Sequence, residues 1–110
     1  MRSYLIDEIS SSDMDKIREF LKKNAIKSSL GQILWVRMPD NLLSEIQAEH
    51  RDCRPHVFSA ELGFDWIKLE FYVRSLKKMQ CTCPAYCTGP QRDFIIKFAH
   101  DMIDQIGIKT

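Results

Sequence analysis

The stretch from His56 to Arg74, HVFSAELGFDWIKLEFYVR, constrains the fold more than any other part of the chain. Two runs of alternating apolar and polar residues flank Gly63-Phe64-Asp65, a pattern that signals a β-hairpin. With Leu62 opposite Ile67, Ala60 faces Leu69, Phe58 faces Phe71 and His56 faces Val73. The opposite face then pairs Glu61 with Lys68 and Ser59 with Glu70. One face is apolar and the other carries complementary charge. A slip of a single residue would turn every apolar side chain to the wrong side, so the register is strongly specified.

The flanking segments supply the remaining elements. Residues 2–9 read as a short strand, with Tyr4 and Ile6 on one face and Leu5 and Ile9 on the other. Ser12 with Asp15 resembles a capping box for a helix in which Met14, Ile17, Phe20, Leu21 and Ala25 share a face. Asn24 is a candidate left-handed stop. Residues 30–38 form a second strand, apolar on both sides over Ile33-Leu34-Trp35-Val36 and therefore expected to be covered on both faces. Asp40 is placed to cap a shorter helix over 41–50, with Leu42, Leu43 and Ile46 inward. Residues 77–86 read as a loop. Thr88 and Gln91 then form a capping box, with Pro90 in the first turn and Gly107 at the end of a long apolar-striped helix.

The order β-α-β-α-β-β-α predicts an α+β fold, with a four-stranded, mostly antiparallel sheet and the two long helices packed on one face. The opening β-α-β unit is compatible with a parallel right-handed crossover. All 110 residues read as a single domain, long enough to bury a core without a disulfide or a metal. A formal net charge of +1 supplies no general attraction to nucleic acid or to an anionic membrane. The N-terminal segment has no apolar signal region, and no stretch is long enough to span a bilayer. The expected location is cytoplasmic, which makes reduced thiols or metal ligands of the four cysteines.

Cys81, Cys83 and Cys87 lie close together in QCTCPAYCTGPQ, and Cys53 lies between His50 and His56. Thiolates are good ligands for zinc or for iron–sulfur clusters. A shared site would take Cys81, Cys83 and Cys87, with Cys53 or His56 as the fourth ligand. The single residue between Cys81 and Cys83 is shorter than the usual zinc spacing, so thiols packed as small hydrophobes, with no cofactor, rank ahead of the metal reading. A thiol-redox role is a further alternative. Cys87 precedes a helix start, where the dipole favours thiolate, and Lys77, Lys78 and Arg92 are near in sequence. Cys83-Pro84-Ala85-Tyr86-Cys87 resembles the Cys-Pro-Tyr-Cys motif of glutaredoxins over five residues. It has one residue more between the cysteines and lacks a strand of the kind that precedes that motif near the N-terminus, and the chain is not read as a member.

No nucleophile–base arrangement can be read from the histidines, so the reading leans away from an enzyme. His50 reads as a solvated helix end, and His100 falls on the polar side of the last helix. The remaining feature is aromatic. Trp66 and Tyr72 share the outward hairpin face with Lys68, Glu70 and Arg74. An aromatic patch on a polar sheet face marks an association surface. The leading expectation is therefore a binding domain that works through this open face, probed by Trp66, Tyr72, Lys68 and Arg74, as a homodimer with no nucleic-acid or membrane partner. The partner beyond self-association is not specified by the sequence.

Overall fold

The hairpin forms in the expected register and then departs from it. In the computed structural model, which describes residues 2–78 and 81–108, β4 (His56–Leu62) and β5 (Ile67–Glu70) pair antiparallel. Ala60 stands opposite Leu69, Glu61 opposite Lys68 and Leu62 opposite Ile67. Past Glu70 the pairing shifts by two residues. The next strand, β6 (Tyr72–Ser75), meets β4 through Val57–Arg74 and His56–Ser75, so His56 faces Ser75 and not Val73. Phe71 leaves the ladder. Its amide donates to the Arg2 carbonyl at 2.9 Å, and its carbonyl accepts from the Cys87 amide at 3.0 Å. Side chains alternate with period two, so a shift of two keeps the faces sorted, and Phe58, Phe71 and Val73 are all buried.

Among the described residues the sheet has seven strands instead of four. β1 (Ser3–Ile6), β5, β4, β3 (Ile33–Arg37) and β2 (Ile26–Lys27) lie side by side in that order. β6 continues the column beside β4, and β7 (Ala85–Tyr86) pairs with β6. The additions are β2, β7 and the division of the expected 66–75 strand at Phe71. Every pairing is antiparallel, and β5 and β4 separate β1 from β3, so the N-terminal unit is not a parallel crossover. Residues 79 and 80 of the expected loop lie outside the described residues.

The two long helices, α1 (Ser11–Asn24) and α3 (Gly89–Ile106), cover one face of the sheet. Met14, Ile17 and Leu21 of α1, and Ile95, Ala99 and Met102 of α3, are buried with Val36, Phe58, Ala60 and Leu69 of the sheet. Phe58 meets Phe94 and Phe98 edge-on, at ring separations of 6.3 and 5.9 Å. The cap of α1 is Ser10 and not Ser12, because Ser10 Oγ accepts from the Asp13 amide at 3.2 Å. Asn24 remains helical and donates back to the Phe20 carbonyl at 2.8 Å. The capping of α3 is as expected, with reciprocal Thr88–Gln91 bonds and Gly107 in the left-handed region at φ 73°.

The expected 41–50 helix is broken into pieces. Asp40–Leu42 is a 3-10 turn, α2 spans Glu45–Glu49 and Arg51–Cys53 is a second 3-10 turn. Ser44, in extended conformation, restarts the helix with its own capping box to Gln47. That phase turns Gln47 inward and leaves Ile46, expected to face the core, 44% exposed. Among the described residues no helix is long and apolar enough to cross a membrane.

Candidate metal centre

The end of α2 and the segment after β6 meet at the end of the β4–β6 ladder. Leu76 donates its amide to the Pro55 carbonyl at 3.0 Å, and Ser75 Oγ donates to the Cys53 carbonyl at 2.5 Å. His50 is the C-cap of α2 and opens the 3-10 turn that ends at Cys53. Residues three apart eclipse in such a turn, so His50 and Cys53 project to the same side. Across from them Cys81 and Cys83 flank a bend at Thr82, with the Cys83 amide 3.5 Å from Cys81 Sγ and the two sulfurs 2.9 Å apart.

His50 Nδ1 and the Sγ atoms of Cys53, Cys81 and Cys83 all lie within 4.8 Å of one another. Cys81 Sγ is central, 2.8 Å from Cys53 Sγ, 2.9 Å from Cys83 Sγ and 2.9 Å from His50 Nδ1. Those sulfur separations are wider than a disulfide, about 2.05 Å. They are closer than the roughly 3.5–4.0 Å at which non-bonded heavy atoms rest. Sulfurs bound at about 2.3 Å around one tetrahedral ion stand about 3.8 Å apart, so the cluster needs only to relax outward to accept one.

The electrostatics concentrate negative charge on Cys81. Hydrogen bonds from Cys53 and Cys83 draw its thiol down to about 6. Burial, then the bond to Cys81, pushes Cys83 up to about 12. The bond to Cys81, then burial, raises Cys53. Lys78 stands at the mouth in an ion pair with Asp52, which raises the ammonium and lowers the carboxyl.

The cluster differs from the expected ligand set at two positions. Cys87 lies outside it: its amide is committed to Phe71, and burial with Glu70 nearby pushes its thiol up to about 11. Burial outweighs the helix dipole that favours thiolate there. His56 also lies outside it, one layer behind. Fully buried, it places Nε2 3.4 Å from Cys83 Sγ, and burial lowers its pKa. Its Nδ1 is buried without a partner among the described residues. The ligand missing from the sequence reading is His50. Its signal was the pair of short spacings, His50-x-x-Cys53 and Cys81-x-Cys83.

Two buried amides brace the cluster from the core. Gln47 Nε2 donates to the Cys83 carbonyl at 3.2 Å, and Gln47 Oε1 accepts from Gln91 Nε2 at 2.9 Å. Gln91 Nε2 also donates to the Leu42 carbonyl at 3.0 Å.

The open sheet face is more furnished than expected. The Trp66 indole lies against Gly63, where a Cβ would collide with it, and Lys68 Nζ sits 5.8 Å from its ring while pairing with Glu61 at 3.4 Å. Tyr72 packs edge-on against Tyr86, and Arg74, bonded to Glu70 at 2.6 Å, covers both Tyr72 and Trp35. Trp35 is thus covered on this face by the guanidinium of Arg74, from β6. Leu5, Ile26, Leu30, Ile46, Phe64 and Tyr86 are exposed, Phe64 most of all. His100 is exposed, as expected, with Nε2 2.6 Å from the Tyr4 hydroxyl. Compared with protein-family models, with curated proteins and with solved structures, the chain matches none.

Proposed function

We propose that this protein binds one zinc ion through His50 Nδ1 and the sulfurs of Cys53, Cys81 and Cys83, as a structural centre. The observation that carries the reading is the convergence of these four ligand atoms within 4.8 Å from two segments separated in sequence. Three thiolates and an imidazole are a common structural zinc set, and four protein ligands leave no open position for catalysis. Iron–sulfur clusters distribute their thiolates around several irons, so ligand atoms this close together favour a single ion. Bound zinc would tie the end of α2 to the segment after β6. Metal analysis of the purified protein, with thiol titration before and after chelation, tests the reading. One zinc per chain, with the buried Cys53 and Cys83 thiols reactive only after chelation, is expected. A chain that takes up no zinc from zinc chloride overturns it.

A second reading, self-association through the open sheet face, is supported by the exposure of Ile26 and Leu30, at 42% and 62%. Ile26 pairs across the strands with Trp35, and Leu30 and Ile33 line the same groove as Trp35. The occupant proposed is a second copy of the chain. The face alternates acidic and basic groups, Glu61 with Lys68 and Glu70 with Arg74, so a two-fold related copy can meet opposite charge. Sedimentation as a dimer at micromolar concentration, shifted to monomer by Leu30→Glu, is expected. A monomer throughout that range removes the reading.

A further inference from the structure

The three clustered thiols are not equivalent toward solvent. Cys53 and Cys83 are buried, at 2% and 0% exposure, whereas Cys81 is partly exposed. Cys81 lines a surface depression with His50, Cys53, Asp52 and Lys78, and is the more exposed of the two sulfurs there. An oxidant arriving from solvent therefore meets the Cys81 sulfur more readily than that of Cys53. Cys81 Sγ sits between the two others, 2.8 Å from Cys53 Sγ and 2.9 Å from Cys83 Sγ, and 2.9 Å from His50 Nδ1.

We propose that Cys81 is a site of oxidation by hydroperoxides, and that it resolves as a Cys53–Cys81 disulfide which dismantles the metal centre. The proposal rests on the zinc reading for its consequence and on the sulfur geometry for its chemistry. The Cys81 thiolate attacks the outer oxygen of the hydroperoxide. A sulfur–oxygen bond forms, the oxygen–oxygen bond breaks, and the leaving alkoxide takes a proton to become the alcohol. The Cys53 thiolate then attacks the Cys81 sulfenic acid. The disulfide forms, the sulfur–oxygen bond breaks, and hydroxide leaves with a proton as water. Two thiols lose two electrons in total and the hydroperoxide gains them.

Cys53 is the resolving partner for geometric reasons. Its sulfur lies 2.8 Å from that of Cys81, so the pair need close by only roughly an ångström. Cys83 is separated from Cys81 by Thr82 alone, which would enclose a tight ring. It is also held in place, by Gln47 on its carbonyl and His56 beside its sulfur. Loss of two thiolates leaves His50 and Cys83, fewer ligands than a zinc centre needs. Cys87, part-buried and outside the cluster, takes no part.

The test uses the full chain loaded with zinc, hydrogen peroxide as oxidant and a colorimetric zinc chelator, followed by peptide mapping of alkylated product. Expected are release of one zinc per chain, loss of two thiols, a mapped Cys53–Cys81 bond, and reversal by a dithiol with added zinc. Cys87→Ser should leave release unchanged, and Cys53→Ser should let a sulfenic-acid reagent trap Cys81. If Cys53→Ser does not fold, mapping of the unaltered chain still decides. Retention of zinc with all thiols intact, or oxidation mapped to Cys87 or to a Cys81–Cys83 bond, overturns the proposal while leaving the zinc reading in place. If the chain takes up no zinc, the zinc reading fails and the mapping stands alone. A Cys53–Cys81 bond then supports oxidation at Cys81, and its absence overturns it.

Discussion

Gln91 Nε2 donates to Gln47 Oε1 at 2.9 Å, which joins the capping boxes of two separate helices inside the core. Each glutamine closes its own box by accepting from the cap amide, Ser44 for Gln47 and Thr88 for Gln91. Gln91 then donates across the core to the Leu42 carbonyl and to Gln47 Oε1, and Gln47 donates to the Cys83 carbonyl. Both residues are fully buried. Gln91→Leu removes a donor from the Leu42 carbonyl and an acceptor from the Thr88 amide. The expected loss is about 1–3 kcal/mol for each polar group left buried and unpaired, read as a lower urea midpoint at unchanged slope.

The imidazole behind Cys83 makes a different prediction. A hydrogen bond to a metal-bound thiolate from outside the ligand set is commonly worth about 10–100-fold in metal affinity. His56→Leu should weaken zinc binding on that scale in a chelator competition. The metal-free variant should be no less stable than the metal-free parent, since the substitution removes the buried, unpartnered Nδ1. Unchanged zinc affinity would remove His56 from the centre.

Stability of the metal-stripped protein should depend on pH through the same residue. Burial depresses the folded pKa of His56 below its ordinary 6.5. Between the depressed value and 6.5 the unfolded chain binds more protons than the folded one, so stability from this group is present above 6.5 and is lost as pH falls through the folded value. The slope in that window is at most about 1.4 kcal/mol per pH unit. Denaturation midpoints at a series of pH values should show the fall, and His56→Leu should flatten it.

Zinc removal should act locally. Hydrogen exchange is expected to quicken at the end of α2, around Arg51–Cys53, at the residues flanking Cys81 and Cys83 and at the start of α3. The β4–β5 ladder should stay protected, because it is held by the core beneath α1 and α3. Global loss of protection on chelation would instead make the metal a condition of folding.

Gly63 permits the Trp66 indole to lie flat against the hairpin backbone. Gly63→Ala puts a methyl group into the ring and should cost about 1–3 kcal/mol, as overpacking does. The same change in a Trp66→Ala background should cost little, and a double-mutant cycle measures the coupling. Equal costs in both backgrounds would assign the glycine to backbone conformation instead.

The sequence by itself determined the parts whose partners are near neighbours or follow a strict period. The Ala60–Leu69 register was legible because it places the two runs on either side of the Gly63-Phe64-Asp65 turn and a slip of one residue would turn Phe58 out of the core, and the α3 start because Thr88 and Gln91 are three residues apart. A two-residue shift at Phe71 leaves the alternation unchanged, so the pattern carried no trace of it. The inward turn of Gln47 was equally silent, since a buried amide reads as a polar surface position until its partner glutamine is known to stand opposite. Only the tertiary structure brought the candidate ligands together. His50 and Cys81 are 31 positions apart, and their approach depends on the β4–β6 pairing that carries both segments to one end of the sheet. Cys87 is nearer to Cys83 in sequence yet is drawn away, because its amide is taken by the carbonyl that Phe71 frees on leaving the ladder. Distance along the chain bounds where a side chain can reach, but backbone hydrogen bonding between distant strands decides where it goes.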